Sequence, residues 1–361
     1  MQNIDKIRFT DKFDYITHKG KHYLAFLRTK IAPHIPQPLA QQMLDFCLSP
    51  IYHHIALNNI KKHFLSNLSP STAPNIHIVL GQTGAGKSTL AQQLLNIFPN
   101  TLIIDQDFYK SYHPLSDLIQ QYAPTYYGHL TGIDSYLHRQ ALLSTAIDKR
   151  YNIIIQRAPS QKNLLNGIHL KKLHTANYHI HLHILAVSLP NALLSIHERY
   201  EYQISQKHAI AKLTDLNRAL DSYNSLPKYL SELHLLNPQN ITFYTRNYSQ
   251  NNILPPILPE IKDNCLHNHT SRLDCLPNFT PHPATTLNQN TTLLSATLLN
   301  HLQNLQNYDL IHSAPTYNAR VQSILTQLSN RNAPLSQLEQ FHRIVDIIAS
   351  TPLPLTTDKT N

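Results

Sequence analysis

Three of the chain's seven glycines lie between residues 81 and 88, in a stretch whose composition suits the binding of a phosphate chain. It reads Gly81-Gln82-Thr83-Gly84-Ala85-Gly86-Lys87-Ser88 and fits the phosphate-loop pattern G-x-x-x-x-G-K-[ST] in full. Backbone N–H groups of residues 84–88 would then point inward and surround an anion at the start of a helix. Lys87 would reach the β- and γ-phosphates of a nucleoside triphosphate, and the hydroxyl of Ser88 would bind Mg²⁺.

The segments on either side of this loop decide how the pattern is interpreted. Residues 76–80 are mostly apolar and β-branched, which predicts a buried strand. Residues 89–98 place Leu90, Leu94 and Phe98 at helical spacing, which predicts a helix. Strand, glycine loop and helix form the context that the motif requires, so we prefer this interpretation to a glycine-rich turn followed by a chance Lys-Ser pair.

Beyond the loop, predicted strands alternate with predicted helices as far as residue 250. Further strands are expected at 101–105, 152–155, 180–187 and 241–244, and helices around 133–149, 163–176, 190–206 and 215–235. Continuous apolar strands indicate burial on both faces, as in a parallel sheet covered by helices. We therefore expect an α/β fold of the P-loop NTPase or kinase type, with three layers and a mainly parallel sheet. Such sheets bind ligands beyond the carboxyl ends of their strands.

The chain divides into four predicted segments. We expect a largely helical N-terminal extension over 1–74, the P-loop core over 75–250, an irregular linker over 251–290 and a helical region over 291–355. The last segment carries three apolar stripes at helical spacing: Leu294, Leu298, Leu302 and Leu305; Val321, Ile324, Leu325 and Leu328; Leu338, Phe341, Val345 and Ile348. Such stripes are typical of core or docking faces rather than of chemistry.

The composition excludes several classes of protein. No apolar run approaches the ~18 residues that would span a membrane, and the N-terminus lacks the layout of a signal peptide. Three cysteines do not make a disulfide framework, so we expect a reducing cytoplasm. The net charge of +9 does not by itself favour nucleic acid, because no cluster of Lys and Arg alternates with aromatic residues. A polyanionic small molecule fits this charge at least as well.

Two carboxylates follow the second predicted strand, where the sheet would bind its ligand. Asp105 and Asp107 come directly after the apolar run 101–104. A kinase needs a base beside the acceptor hydroxyl, and P-loop enzymes also place a carboxylate at a strand end to hold the metal or its water. The alternative interpretation is one aspartate that caps a helix and one that is simply solvated.

The residues that follow carry a resemblance to a known family. Residues 104–114 read IDQDFYKSYHP, close to a family pattern I-D-x-D-x-[FY]-[KR]-x-x-H-P that follows a loop G-Q-x-G-x-G-K-[ST]. Residues 198–201 match the family's E-R-Y-E helix, and residues 226–230 match its L-P-x-x-L segment. With these motifs in one order over about 75–246, the chain resembles the zeta-toxin family of bacterial toxin–antitoxin kinases.

The resemblance implies roles for individual residues. The nucleotide-binding residues would be those of the loop, 81–88, together with Thr89, and Lys87 would also act in catalysis. Asp107 would be the catalytic base, and Arg199 would neutralise the transferring phosphate. A second family arginine falls near Lys212, where a lysine keeps the charge but loses the bidentate fork. From its own surroundings Arg199 has another interpretation, as a surface partner for Glu198 or Glu201.

The substrate site is where the sequence departs from the family. Similar proteins hold an amino sugar with an E-G-T run after the third strand and with a glutamate in the preceding helix. Here these positions carry Gln156 and Gln140, so two carboxylates have become amides, which bond a sugar hydroxyl less strongly. We assign substrate binding to Asp105, His113, Gln140, Gln156 and Arg157, and we expect an altered or broader choice of UDP-sugar.

The resemblance implies an ATP- and Mg²⁺-dependent kinase that phosphorylates the 3-hydroxyl of UDP-N-acetylglucosamine. Depletion of this wall precursor would make the protein toxic to its own cell, which implies a small helical antitoxin that covers the ATP site. Two other interpretations stay open. One is a kinase of the same fold that acts on a nucleic acid end or a small metabolite, and the other is a nucleotide-dependent binding module.

Two groups of residues resemble metal ligands. His179, His181 and His183 alternate along a predicted strand, and in a covered sheet we expect them to be packed side chains. Cys265, His267, His269, Cys275 and His282 lie in the predicted linker, with a spacing that fits no zinc pattern we can support.

Overall fold

The protein has an α/β fold in which helices flank a mainly parallel sheet, as the sequence predicts. The computed structural model describes residues 36–38, 40–42, 50–113, 115–122, 127–160, 167–206, 211, 213–246, 279–283 and 291–353. Its strands are β1 (Asn75–Leu80), β2 (Thr101–Ile104), β3 (Asn152–Arg157), β4 (His179–Leu185), β5 (Asn240–Arg246) and β6 (Phe279–Pro283).

The helices of the first half are α1 (Pro50–Leu65), α2 (Lys87–Ile97), α3 (Ser116–Tyr122), α4 (Tyr127–Leu130) and α5 (Gly132–Asp148). Those of the second half are α6 (Leu170–Thr175), α7 (Leu189–Ser205), α8 (Leu216–Asn224), α9 (Leu226–Glu232), α10 (Thr291–Ser313), α11 (Tyr317–Asn330) and α12 (Leu335–Ser350). Short 3₁₀-helices occupy Gln106–Tyr112, Leu233–Leu236 and Ala314–Thr316.

The strands run in the order β2-β3-β1-β4-β5-β6, and the first five are parallel. In the middle of the sheet Ile78 lies opposite Leu182 and Leu182 lies opposite Ile241. Strand β6 pairs antiparallel with β5, with Tyr244 opposite Pro281. β1 is buried after its first residue, as expected for a strand covered on both faces.

The chain forms two compact units, which interleave along the sequence. The aspartate unit comprises Met1–Thr72 and Asn100–Ile153, and the phosphate-loop unit comprises Ala73–Pro99 and Ile154–Asn361. In the aspartate unit, the ring of Phe64 at the end of α1 packs edge-on against Tyr109, with 5.5 Å between the ring centroids. The boundaries at residues 74, 250 and 290 stay predictions.

The three C-terminal helices pack onto α7 in the phosphate-loop unit. Leu194 of α7 lies in one apolar cluster with Tyr317 and Leu328 of α11 and Phe341 of α12. Val321, Leu325, Leu338, Val345 and Ile348 pack against the same cluster. The apolar stripes of the last two helices are thus core faces, as predicted.

The secondary structure differs from the sequence-based expectation in several places. The helix expected around 163–176 is described only over Leu170–Thr175, and residues 167–169 before it are not helical. The helix expected over 215–235 is divided into α8 and α9 at Ser225, because Pro227 favours the first turn of a new helix. Residues 279–283, in the segment predicted to be irregular, form β6 and cover an edge of the sheet. Two prolines in five residues hide this strand from any reading of apolar periodicity.

Two further expectations concern metals and membranes. Cys265, His267, His269 and Cys275 lie outside the described residues, and the side chain of His282 is not described. Among the described helices, none combines the length and the apolar character needed to cross a bilayer.

The histidines of the central strands form a hydrogen-bonded ladder. Nδ1 of His77 lies 3.0 Å from Nε2 of His183, whose Nδ1 lies 2.9 Å from the hydroxyl of Tyr244. His181 stacks on His77 with 4.8 Å between ring centroids, and its Nε2 lies 2.9 Å from Oδ1 of Asn75. Burial lowers the pKa of His77 to about 4 and that of His183 to about 3, and neighbouring histidines add to both effects. His181 and His183 are packed side chains, as expected, whereas His179 is half-buried at the start of the strand. The three histidines of the ladder, His77, His181 and His183, are neutral at pH 7.

Acid should destabilise the protein through this ladder. Both pKa values lie below the ordinary value of about 6.5, so the unfolded chain binds protons first as the pH falls. The free energy of unfolding is therefore greatest above about pH 6.5 and decreases towards pH 4. Replacing His77 by Gln removes one titrating group, so the slope of this free energy against pH should shrink by about one proton. Urea unfolding at a series of pH values measures the slope.

The control is His234→Gln, which changes an exposed histidine in the same way and should leave the slope as it is. Equal slopes for wild type and His77→Gln would show that His77 does not take part in the acid transition.

Candidate active site

The loop between β1 and α2 has the backbone conformation that a phosphate-binding loop requires. Gly84 and Gly86 have φ angles of 86° and 100°, in the left-handed region that other residues avoid. Gly86 is the N-cap of α2, so the following N–H groups lie in the first turn of that helix. A Cβ atom at Gly84 would lie only 2.1 Å from the carbonyl oxygen of Ala192 in α7. The loop therefore touches α7 where no side chain fits.

Lys87 is held across the loop by backbone carbonyls. Its Nζ donates hydrogen bonds to the oxygens of Gly81 and Gln82, both at 2.9 Å. The amide of Gln82 is completely buried and donates to the oxygen of Val187. The N–H of Thr83 donates to Oγ of Ser222 at 3.2 Å. These bonds fix the ammonium group and the first half of the loop.

Two predicted substrate residues lie in β3, beside the start of α2. Ser88 donates from its hydroxyl to Oε1 of Gln156 at 3.0 Å. The carbonyl of Arg157 accepts a hydrogen bond from the N–H of Gly81 at 3.3 Å. Gln156 therefore contacts Ser88, the residue that the motif assigns to Mg²⁺. The sequence analysis places Gln156 in the sugar site and does not predict this contact.

The aspartates lie in the aspartate unit, at the start of the 3₁₀-helix Gln106–Tyr112. Oδ1 of Asp105 accepts from the N–H of Asp107 at 3.0 Å and so caps this helix. The side chain of Asp107 is 62% exposed, and Lys110 pairs with it from one turn later. Gln106 anchors the helix through hydrogen bonds to the oxygen of Gly132 and the hydroxyl of Ser135. Asp105 has the capping role, and Asp107 presents an accessible carboxylate.

The other predicted residues of the aspartate unit are buried. His113 lies with its Nε2 3.5 Å from Oδ2 of Asp134 in α5, and its Nδ1 accepts from the N–H of Leu115. Gln140, also in α5, is only 1% exposed. Burial raises the pKa of the nearby Tyr109, and the charge of Asp105 adds to this effect, so the phenol stays protonated.

Arg199 is an exposed residue of α7, between two glutamates that other arginines bind. Arg320 of α11 donates to both carboxylate oxygens of Glu198 at 2.6 and 2.8 Å. Arg331 binds Glu201 in the same bidentate way at 2.7 and 2.8 Å. Both glutamates of the E-R-Y-E segment are thus bound by arginines of the C-terminal region.

The predicted site residues fall into two sets. The phosphate-loop unit contains Gly81 to Thr89, Gln156, Arg157 and Arg199, and the aspartate unit contains Asp105, Asp107, His113 and Gln140. Lys212 lies outside the described residues.

Sequence reasoning missed Arg246, which contacts the loop directly. This residue ends β5 and is 4% exposed, and its Nη2 donates to the oxygen of Gly84 at 3.0 Å. The sequence does contain a clue to this residue, because Arg246 follows a predicted strand and ligands bind at the carboxyl ends of parallel strands.

Comparisons with known proteins bear on the family and the fold of the chain. The family model described as zeta toxin matches residues 61–255. A solved structure from the PezAT chromosomal toxin–antitoxin system of Streptococcus pneumoniae matches with a TM-score of 0.51 at 17% identity, over 77% of this chain and 97% of that one. At this identity the likeness concerns the fold. No curated relative matches the chain.

Complexes of AvrRxo1-ORF1 with AvrRxo1-ORF2 also match, but more weakly. The complex with ATP has a TM-score of 0.35 at 11% identity, over 58% of this chain and 63% of that one. The native complex has a TM-score of 0.39 at 8% identity, over 86% and 84%.

Replacing Gly84 by Ala should damage the loop. The new Cβ would overlap the backbone of α7 and would also force an alanine into the left-handed region, which alone costs about 1–2 kcal/mol. We expect the free energy of unfolding to fall by about 2 kcal/mol or more and ATP binding to weaken. Urea unfolding and titration with a fluorescent ATP analogue measure the two effects.

Gly128→Ala is the matched control, because no described atom lies within 4 Å of a Cβ at Gly128. It should leave both quantities close to their wild-type values. A Gly84→Ala protein that binds ATP normally would mean that the contact with α7 does not constrain the loop.

Proposed function

This chain belongs to the zeta-toxin family, and from that premise we propose that it is the kinase toxin of a toxin–antitoxin pair. It transfers the γ-phosphate of ATP to the 3-hydroxyl of UDP-N-acetylglucosamine or of a related UDP-sugar. The observation that carries the proposal is the loop of residues 81–88, with its two left-handed glycines and its lysine fixed at the start of a helix. A kinase cradles the phosphates of ATP on such a loop.

The loop supplies the groups that a transferring phosphate needs. The first N–H groups of α2 bind phosphate oxygens, and Lys87 exchanges its carbonyl partners for the β- and γ-phosphates. Arg199 is exposed on α7 and adds a second cation. Phosphoryl transfer depends on positioning and on neutralisation of charge, and these groups provide both.

Asp107 is the proposed general base. It accepts the proton of the sugar hydroxyl while the hydroxyl oxygen forms its bond to the γ-phosphorus and the bond from this phosphorus to ADP breaks. Its exposure leaves it accessible to a substrate, and Lys110 pairs with its carboxylate. The capping bond from Asp105 orders the backbone beside it.

The residues beside the loop fit Mg²⁺, which enters with the nucleotide. This ion takes most of its ligands from phosphate oxygens and water and few from protein. Ser88 donates its proton to Gln156, which leaves the lone pairs of the hydroxyl for a cation. No group of acidic, histidine or cysteine side chains that could hold a metal alone is found in the part of the chain that the structure describes.

The amide of Gln156 bears on the choice of sugar. It replaces a family carboxylate, and its oxygen contacts the serine of the loop. A neutral amide at this place weakens the bond to a sugar hydroxyl and so relaxes the choice of UDP-sugar. We propose that Arg157 and His113 also contact the substrate. We propose the same role for Gln140, which lies in α5.

The partner follows from the toxicity of this reaction. Phosphorylated UDP-N-acetylglucosamine is lost to wall synthesis, so the producing cell needs an inhibitor until the toxin acts. We propose a small helical antitoxin that covers the ATP site in the cytoplasm. Co-expression with such a protein should be needed for high yield.

Incubation with ATP, Mg²⁺ and a panel of UDP-sugars tests the reaction. Mass spectrometry should find a gain of one phosphate on UDP-N-acetylglucosamine, and on further UDP-sugars if Gln156 relaxes the selection. A phosphate gain on a nucleic acid end or a metabolite, with none on any UDP-sugar, would show that the protein is a kinase of another class of substrate. ATP binding without transfer to any acceptor would favour a nucleotide-dependent binding module.

Asp107→Asn tests the base. The amide keeps the size of the side chain but accepts no proton, so transfer should fall by about 10²-fold or more while ATP affinity stays close to wild type. Turnover and equilibrium binding of ATP are measured on the same preparation. Asp117→Asn is the matched control, an exposed aspartate of the same unit that should keep full turnover. Undiminished transfer by Asp107→Asn would remove this residue from the mechanism.

A further inference from the structure

A buried carboxylate of the first C-terminal helix binds the start of α7. Asp309 in α10 is completely buried. Its Oδ2 accepts hydrogen bonds from the N–H of Ser188 at 2.8 Å and from the hydroxyl of Ser188 at 2.7 Å. The same oxygen accepts from Nδ2 of Asn191 at 3.1 Å. Asp309 therefore caps α7 from outside and fixes the direction of the Asn191 amide.

The other end of the Asn191 amide faces two cations. Its Oδ1 accepts from Nη1 of Arg246 at 2.7 Å and from Nη1 of Arg320 at 2.6 Å. Only one of the two orientations of this amide suits the site, because the reverse one would turn the NH₂ group towards both guanidinium groups. Asp309 selects the suitable orientation by accepting from the NH₂ group.

Arg246 connects this amide to the phosphate loop. While Nη1 binds Asn191 and the hydroxyl of Ser195, Nη2 donates to the oxygen of Gly84 at 3.0 Å. Gly84 has a positive φ and packs closely against α7. The hydrogen bond from Arg246 holds the carbonyl group of Gly84 in this conformation. The bonds thus lead without interruption from Asp309 through Asn191 and Arg246 to the loop.

We propose that Asp309 is a positioning residue for the phosphate loop, acting through Asn191 and Arg246. The C-terminal helices then support the nucleotide site through α7. The proposal rests on the use of ATP in the proposed function, but it does not depend on which alcohol accepts the phosphate. Arg320 joins the same chain of bonds by sharing Oδ1 of Asn191.

A second contact between the C-terminal region and α7 distinguishes a positioning role from a contribution to stability alone. Arg331 binds Glu201 with two hydrogen bonds, and the side chain of Glu201 is 1% exposed. Both contacts join the C-terminal region to α7, but no bond described for Arg331 leads to Asn191, Arg246 or Gly84. Its loss should cost stability without altering the loop.

The experiment compares Asp309→Asn with Arg331→Met in the full chain. Asp309→Asn keeps the volume but sets an NH₂ group against that of Asn191, so we expect the dissociation constant for a fluorescent ATP analogue to rise about tenfold. Arg331→Met should lower the melting temperature and leave this constant within about twofold of wild type. An Asp309→Asn protein that binds the analogue as wild type does would overturn the proposal, and so would equal losses in both variants.

Two further measurements keep the test independent of the reaction and of this one variant. Amide hydrogen exchange in peptides covering 81–90 needs no ligand, and it should speed up in Asp309→Asn but not in Arg331→Met. Arg246→Lys keeps the charge but cannot reach both Asn191 and Gly84, so it should weaken binding of the analogue in the same way. Unchanged exchange together with unchanged binding in Arg246→Lys would also contradict the proposal. Failure of the proposed function would instead appear as normal ATP binding with no phosphorylated UDP-sugar.

Discussion

The space between Gly84 and the carbonyl of Ala192 is too small for a methyl group. The position of the phosphate loop depends on this close contact with α7. A loop that lies so close to a helix takes its position from that helix. Helix α7 in turn is held by α10 and α11 through Asp309, Arg320 and Arg331. Through α7, the C-terminal helices therefore support the loop. Removing either arginine would leave the carboxylate of Glu198 or Glu201 without its charged partner.

The sequence predicts this protein well wherever the determinants are local. The strand, loop and helix at 75–97 follow from the order of apolar residues and glycines, and the three C-terminal helices follow from stripes at helical spacing. The packed histidines of β4 were also expected, because alternate residues of a covered strand face the interior. In each case neighbours in sequence decide the conformation.

Contacts between distant residues could not be predicted in this way. Glu198 and Glu201 suggest partners inside their own helix, yet Arg320 and Arg331 bind them from 122 and 130 residues away. The hydrogen bond from Arg246 to Gly84 joins residues 162 positions apart, and no periodic pattern in the sequence predicts it. The position of Gln156 after the third predicted strand suggests the sugar site, whereas its contact with Ser88 depends on how β3 lies beside α2.

Strand β6 covers β5, which would otherwise be an edge strand able to pair with a strand of another molecule. Two of its five residues, Pro281 and Pro283, have no N–H group, and a proline in a strand is tolerated where its nitrogen faces away from the sheet. A further strand that approached β6 would find few donors there, so the same prolines that conceal this strand in the sequence also make this edge of the sheet a poor template for extension.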